Sequence, residues 1–352
     1  MEKIRISFYG WLPFLGFSGG RYLSLCLANS LANSGCEVNF YTNQVDCKMA
    51  HECFNNTKVL FKNLSSQESK SDFGIIVPNG PGDYQFYNTF MKKAIELNYK
   101  NLFYNFESGN WWNFQSPYKK NIKDWDPWKN VAKKCNTVLS ISKTGNEWSK
   151  KFYDCDDFIY EAGPINIPYE KKLDVKKKQI LIMSRVGSTS RHKGWTQLHL
   201  LNSKVISGYK LIINTGNTKI NNSSKMFLSK EFSKNNIEVE FVSSISESKK
   251  IKLMRESSFL FFATEFEGLG MPPLEAISLG TNVLCSDLPV LRETGNNYYC
   301  FFNNKSTNID KEISDVLNKK LSQEQVLKFY NKFNMNSVSN SLIKKLKDRM
   351  EK

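Results

Sequence analysis

Nothing in this chain approaches the ~18 uncharged apolar residues that a membrane-spanning helix requires, so a helical membrane protein is set aside at once. Its first residues, Met-Glu-Lys-Ile-Arg-Ile-Ser-Phe, pass directly into a strand-like pattern and lack the apolar core of a signal peptide. The expectation is a cytoplasmic protein. Cysteine occurs eight times but never as a closely spaced pair. Positions 26, 36, 47, 53, 135, 155, 285 and 300 are scattered and mostly sit in apolar runs. That distribution predicts reduced, buried thiols rather than a disulfide framework or a zinc site. Histidine is scarcer still, with His51, His192 and His199 alone. No internal repeat, heptad array or low-complexity tract is present.

What the chain does have is charge of one sign. Lys and Arg number 49 against 34 Asp and Glu, a formal charge of +15. Nucleic acid, an anionic membrane surface or a phosphorylated substrate would each account for the surplus. A solvated lysine-rich surface accounts for it equally well, so charge alone assigns no function. The hydrophobic fraction of 40% and the aromatic fraction of 13% suffice for packed cores. A length of 352 residues suits two domains of roughly 170 each.

Short β-branched and aromatic runs alternate with helix-length amphipathic stretches. Residues 4–9, 37–41, 74–78, 101–106 and 137–141 read as strands in the first half. Residues 179–184, 210–214, 237–242, 258–263, 282–286 and 298–302 read as strands in the second. Most are continuously apolar, as parallel strands covered on both faces are. The alternation predicts α/β architecture with two doubly wound parallel sheets. The densely charged stretch 169–178, after the turn signal Gly163-Pro164, reads as the linker. The expected domains are 1–173, completed by a tail helix over 336–352, and 174–335. Ligands of such sheets bind beyond the carboxyl ends of the strands, which the two domains would turn toward a shared cleft.

The most informative string is Thr264-Glu-Phe-Glu-Gly-Leu-Gly-Met-Pro-Pro-Leu-Glu-Ala-Ile-Ser-Leu-Gly-Thr-Asn-Val-Leu. It follows an apolar strand. Gly268 and Gly270 permit a tight turn, Pro272 and Pro273 suit the first turn of a helix, and Gly280 can end it. Strand, glycine turn and helix N-terminus form an anion site from backbone N–H groups and the helix dipole. Glu267 and Glu275 flank that site, and carboxylates there can accept hydrogen bonds from vicinal hydroxyls. On spacing alone, an ordinary βα turn with surface carboxylates would explain as much.

This string resembles the E-x7-E signature of the retaining glycosyltransferase family 4, whose members have the GT-B fold. The resemblance includes the flanking Glu-Gly-x-Gly-x-Pro-x-x-Glu-Ala. It implies two Rossmann-like domains facing each other across a cleft and a C-terminal helix crossing back to the N-domain. It also implies that Glu267 contacts the transferred sugar, that Glu275 holds the ribose, and that Gly268, Leu269, Gly270 and Met271 line the sugar and phosphate site. A second segment, Ile182-Met-Ser-Arg-Val-Gly-Ser-Thr-Ser-Arg-His-Lys-Gly-Trp195, is similar to the family's strand–Gly-Arg–loop–Lys-Gly element. The resemblance assigns Arg185 and Lys193 to the diphosphate, where a fixed cationic pair stabilises the departing charge. Ser184 replaces a common glycine, and the longer loop adds Arg191, which can share the phosphate role or take it over from Arg185.

Gly16-Phe-Ser-Gly-Gly-Arg-Tyr follows the first strand, and Gly19 and Gly20 match the paired glycines that let the N-domain backbone approach the donor. Val242 and Ser243 fall in the loop that contacts the base. The family's N-domain histidine is missing; the chain reads Tyr104-Asn-Phe-Glu-Ser-Gly-Asn-Trp111 there, leaving Asn105 or Glu107 in its place. The tryptophan-rich stretch 105–128 reads either as a loop packed by its own aromatics or as an acceptor surface involving Glu107, Trp111 and Trp112, since indoles stack on sugars and settle at membrane interfaces.

The expected function is transfer of a sugar from a nucleotide-diphosphate sugar, such as a UDP- or GDP-sugar, to a hydroxyl of a glycan or lipid-linked acceptor in polysaccharide or glycoconjugate synthesis. No cofactor or metal is expected, and peripheral association with an anionic membrane surface fits the charge. Rival readings are a nucleotide-sugar epimerase or hydrolase of the same fold and a metal-dependent glycosyltransferase using Asp124-Trp-Asp126 or Asp154-Cys-Asp156. A nucleic-acid-binding or DNA-modifying protein is a further rival, but no recognition helix, RNP-like string or zinc spacing supports it.

Overall fold

The computed structural model describes residues 3–12, 19–43, 45, 57–63, 65–66, 69–78, 88, 91, 94, 100–106, 126–135, 137–171, 173–183, 193–216 and 219–351. The chain divides into two α/β units, Met1–Asn166 with Phe333–Lys352, and Ile167–Lys332.

The first unit runs β1 (Arg5–Tyr9), α1 (Gly19–Asn33), β2 (Glu37–Thr42), β3 (Leu60–Asn63), β4 (Phe73–Ile76), β5 (Lys100–Asn105), α2 (Asp126–Cys135), β6 (Thr137–Ser140), α3 (Lys143–Tyr153) and β7 (Phe158–Tyr160). Its strands pair in parallel in the order β3-β2-β1-β4-β5-β6-β7. The direction of strand succession reverses between β1 and β4. The innermost strand β4, Phe73-Gly-Ile-Ile76, is buried throughout and carries no polar side chain to solvate, whereas the other inner strands bury a few polar residues such as Ser7, Asn39 and Asn105.

The second unit runs β8 (Lys177–Met183), short 3-10 turns at Trp195–Leu201 and Lys204–Ile206, β9 (Lys210–Asn214), α4 (Asn222–Ser233), β10 (Glu238–Val242), α5 (Glu247–Glu256), β11 (Ser257–Phe262), α6 (Met271–Ser278), β12 (Asn282–Ser286), α7 (Pro289–Gly295), β13 (Cys300–Phe302), α8 (Asp310–Asn318) and α9 (Gln323–Phe333). Its parallel sheet has the order β10-β9-β8-β11-β12-β13, with the reversal between β8 and β11. Side-chain caps fix several helix starts: Asn221 accepts from Ser224 N at 2.7 Å, and Ser246 from Lys249 N at 3.3 Å. Ile180, Ile182, Leu211, Ile213, Phe259 and Phe261 form the centre of the core.

The last helix, α10 (Met335–Met350), returns to the first unit and packs on α1. Ser34 Oγ lies 2.6 Å from Ser339 Oγ, and Ser30 Oγ donates to the Met335 carbonyl. Between the sheet and α10, α1 is buried from Tyr22 through Ala32, which explains its run of Leu, Ala, Ser and Cys.

Every strand anticipated from the sequence is present within about two residues at each end. The charged stretch 169–178 belongs structurally to the second unit. Asp174 Oδ2 pairs with Arg255 Nε at 3.0 Å, Lys177 Nζ with Glu256 Oε2 at 2.8 Å, and Glu170 also pairs with Arg255. These bonds fasten the stretch to the end of α5, and the division between units falls ahead of it, at Asn166/Ile167. Trp128, grouped above with the tryptophan-rich loop, is instead a fully buried residue of α2, with its ring 6.1 Å from that of Phe103. The rest of that loop, including Glu107, Trp111 and Trp112, lies outside the described residues. The six described cysteines are free. Among the described residues, no helix is long and apolar enough to cross a membrane.

Candidate functional site

The carboxyl ends of β8 and β11 lie side by side, in register through Ile182 and Phe261, at the point where the second sheet reverses its strand order. Ligands of doubly wound sheets settle there because the two following loops diverge and leave a crevice. The loop after β8 returns at Lys193-Gly194, and the loop after β11 is 263–270.

Gly194 brings the two together. Its φ of +77° favours glycine, and an added Cβ would lie 2.1 Å from the Ala263 carbonyl oxygen. The backbone at Lys193-Gly194 therefore rests on the end of β11. Lys193 Nζ donates to Glu267 Oε1 at 2.5 Å, with side-chain exposures of 20% and 13%. The fully buried Thr264 supports the acidic partner: its hydroxyl lies 3.3 Å from Glu267 Oε1 and 3.0 Å from the Phe266 carbonyl. The backbone of Thr264 is itself pinned. Its N–H donates to Ser286 Oγ at 2.8 Å, and its carbonyl accepts from Asn304 Nδ2 at 2.8 Å.

The glycine turn behaves as its sequence predicts. Gly270 has φ +82° and precedes α6, and an added Cβ would meet Leu291 Cδ2 at 2.5 Å. Pro272 and Pro273 occupy the first turn of α6, where a missing N–H costs nothing. Gly268 and Met271 are half-buried, and the Leu269 side chain is in the core, so only its backbone is open to a ligand.

Glu275 lies further into α6, and its side chain is 3% exposed. Its Oε1 accepts from Lys250 Nζ of α5 at 3.0 Å, and the same ammonium pairs with Glu247 Oε2 at 2.7 Å. Burial disfavours the charged lysine, but Glu275 and Glu247 outweigh it and hold the Lys250 pKa above the ordinary value. Burial raises the Glu275 carboxyl while Lys250 opposes the rise. Val242 ends β10, its carbonyl accepting from Thr215 N at 3.0 Å, and Ser243 after it is exposed. Both lie at the same edge of the sheet as Glu267.

In the first unit, Gly19 and Gly20 open α1, and a Cβ on Gly20 would come within 2.3 Å of the Phe106 ring. Asn105, one of the two candidates for the missing histidine's place, is buried at the end of β5. Its Nδ2 donates to Ser149 Oγ at 2.5 Å, tying β5 to α3. Arg185 and Arg191 lie outside the described residues. Asp154, the first member of the Asp-Cys-Asp triplet, is an exposed helix cap with φ +51° paired with Lys133 at 2.9 Å. Among the described residues, no group of three His, Cys, Asp or Glu is placed to hold a metal ion.

Sequence reasoning missed Lys250, Thr264, Gly194 and Asn304. A signal existed for Lys250, which stands three and four residues before Leu253 and Met254 and so shares the buried face of α5. Nothing local announced Asn304, whose bond to Thr264 spans 40 residues of chain.

Residues 166–336 match the family described as glycosyl transferases group 1. The chain is 28% identical over 177 residues to an O-antigen chain mannosyltransferase, RfbU, of Salmonella typhimurium, an alignment covering 50% of this chain and 49% of that protein. The matched region thus spans about half the length of the relative. Among solved structures, sucrose-phosphate synthase from Thermosynechococcus elongatus superposes with a TM-score of 0.72 at 12% identity, over 99% of this chain and 100% of that one. Anabaena HepE, in a complex with UDP-glucose, superposes with a TM-score of 0.68 at 10% identity, over 98% and 100% of the two chains. The fold of the whole chain is GT-B, with two Rossmann-like parallel-sheet units.

Proposed function

We propose that this chain, with the GT-B fold and a group 1 glycosyl transferase match over residues 166–336, is a retaining glycosyltransferase that takes its sugar from a nucleotide-diphosphate sugar. The observation that carries the reading is the Lys193–Glu267 pair at the reversal point of the second sheet, beside the N-terminus of α6. The two side chains pair at 2.5 Å. A sugar diphosphate offers each a better-matched partner: phosphate oxygens for Lys193, ring hydroxyls for Glu267. Arg185, which precedes Lys193 in the sequence, is the proposed second cation for the diphosphate, and the first-turn N–H groups of α6 add to the field.

In the reaction the anomeric carbon–oxygen bond to the diphosphate breaks, and a new bond forms from the acceptor hydroxyl on the same face. The hydroxyl proton passes to the departing diphosphate, so the products are a nucleoside diphosphate and a glycoside with retained anomeric configuration. The protein's share is orientation and stabilisation of the developing negative charge. Protein cations carry that role in this scheme, and full activity in EDTA is expected. A UDP- or GDP-sugar is the proposed donor, in keeping with the UDP-glucose complex of HepE. A glycan or lipid-linked saccharide of surface polysaccharide synthesis is the proposed acceptor, in keeping with the O-antigen relative.

The test is turnover of a panel of UDP- and GDP-sugars with saccharide acceptors, with anomeric configuration read by NMR. Glu267→Ala and Lys193→Ala should each lower kcat/KM by about 10²–10³ with unchanged circular dichroism. Wild-type turnover in either variant, or an inverted product, overturns the assignment.

A further inference from the structure

A strongly buried ion cluster of the second unit surrounds Glu275, and its lysine has no role in the reaction just described. Lys250 projects from α5 with 10% of its side chain exposed, and Glu275 from α6 with 3%. Lys250 Nζ lies 3.0 Å from Glu275 Oε1 and 2.7 Å from Glu247 Oε2. The second oxygen of Glu275, Oε2, accepts no hydrogen bond from the described residues. One oxygen of the carboxylate is therefore fastened by Lys250, and the other keeps its acceptor capacity uncommitted.

We propose that Lys250 is a positioning residue for recognition of the donor's ribose: it fixes Glu275 by one oxygen so that the other accepts from the ribose hydroxyls. The proposal rests on the reading of Glu275 as the ribose ligand and adds what makes that carboxylate fit for the role. A carboxylate this buried with no cation beside it takes up a proton and loses acceptor strength. Two rotatable bonds beyond Cβ would also let it turn away from a ligand. Lys250 removes both faults. Glu247, with 31% of its side chain exposed, holds the same ammonium at 2.7 Å as a second anchor. Helix α5 begins immediately after Val242 to Ser246, the loop assigned to the base, so a single lysine joins the base side of the nucleotide site to its ribose side.

A purely structural cross-link between α5 and α6 would use the same distances, and the experiment must separate the two. Affinities of the full chain for UDP and GDP are measured by calorimetry against their 2′,3′-dideoxy counterparts. The wild type should prefer the ribonucleotide about ten-fold or more, the scale of hydrogen bonds to a charged group. Lys250→Met should lose that preference, its affinity for the dideoxy nucleotide holding while that for the ribonucleotide falls to meet it. The donor KM should rise by a larger factor than kcat falls. Because Lys250→Met leaves a buried carboxylate alone, Lys250→Met/Glu275→Gln is measured beside Glu275→Gln. Equal nucleotide affinities in those two variants are expected, since the lysine acts only through the carboxylate. A folded Lys250→Met that keeps the wild-type ribose preference, or a double variant clearly weaker than Glu275→Gln, overturns the role of Lys250 while Glu275 stands. A wild type that binds ribo- and dideoxynucleotide alike overturns the Glu275 reading and this proposal with it.

Discussion

Two lysines of the second unit are withdrawn from water, and their surroundings treat them in opposite ways. Lys250 meets two carboxylates and is held charged. Lys176 meets neutral oxygens, donating to the Arg255 carbonyl at 2.7 Å and to Thr281 Oγ1 at 2.8 Å. Burial lowers its pKa to about 8, with Asp174 opposing the drop. The consequence for stability has a definite sign. Between about pH 8 and the ordinary lysine value, the unfolded chain binds a proton that the folded chain does not, so stability rises with pH across that window. At neutral pH the folded state carries the cost of a partly desolvated ammonium, on the order of a few kcal/mol at most. Lys176→Met is therefore expected to flatten the pH dependence of unfolding between pH 8 and 10. At pH 7 it should leave the second unit no less stable than the wild type. Denaturant titrations of both proteins at pH 7, 8, 9 and 10 check this, and parallel pH profiles would refute it.

At the scale of elements, the candidate site depends on how one loop meets one strand end. Gly194 and Gly208 have nearly the same φ, +77° and +78°, but only Gly194 is pressed against backbone, at Ala263; the nearest atom to a Cβ on Gly208 is Asn236 Nδ2 at 4.0 Å. Alanine at either position incurs left-handed strain of about 1–2 kcal/mol. At Gly194 it must also push Lys193 away from Glu267. Gly194→Ala should thus lose transferase activity on the scale of Lys193→Ala, while Gly208→Ala lowers the melting temperature and keeps activity. Comparable activities in the two variants would separate Lys193 from the placement of its loop. The same scale explains what was legible in the sequence. Inner strands such as β4 and β11 are apolar on both faces and announce themselves. The edge strand β3 is half-exposed, reads Leu-Phe-Lys-Asn, and gives no such signal, and β7 has only three residues. Helix α2 was readable, since Trp128, Val131, Ala132 and Cys135 follow helical spacing, but the nearby tryptophans drew Trp128 into the wrong segment. Glu267 and Lys193 were legible because chemistry fixes their neighbours in sequence. The Ser286 and Asn304 supports of Thr264 were not, because only folding brings them near.

At the scale of the whole molecule, the two units differ in how the chain builds them. The second is one continuous stretch, Ile167–Lys332, with its own sheet and core. The first is discontinuous and needs the final helix. Val338, Leu342 and Leu346 of α10 are buried. Lys345 Nζ pairs with Glu161 Oε2 at 2.6 Å, and Arg349 binds Asp157 through both carboxylate oxygens. Leu342→Ala should accordingly destabilise the first unit by about 2–5 kcal/mol, seen as an earlier thermal transition of that unit alone. Apart from Gly19 and Gly20 of the first unit, the described residues assigned to the donor, Lys193, Val242, Ser243, Glu267 to Met271 and Glu275, belong to the continuous unit. Residues 167–332 produced alone should therefore fold, unfold in one cooperative transition, and bind the nucleoside diphosphate of the donor. A ligand held only by the native state adds about 2.7 kcal/mol of stability at a hundredfold excess over its Kd. A screen of UDP and GDP against this fragment by thermal denaturation reads that stabilisation directly. Glu275→Gln in the same fragment should shrink the shift. If the full chain shifts with one of these nucleotides and the folded fragment does not, the donor site is not contained in the second unit. The roles given to Lys193, Glu267 and Glu275 would then have to be reassigned.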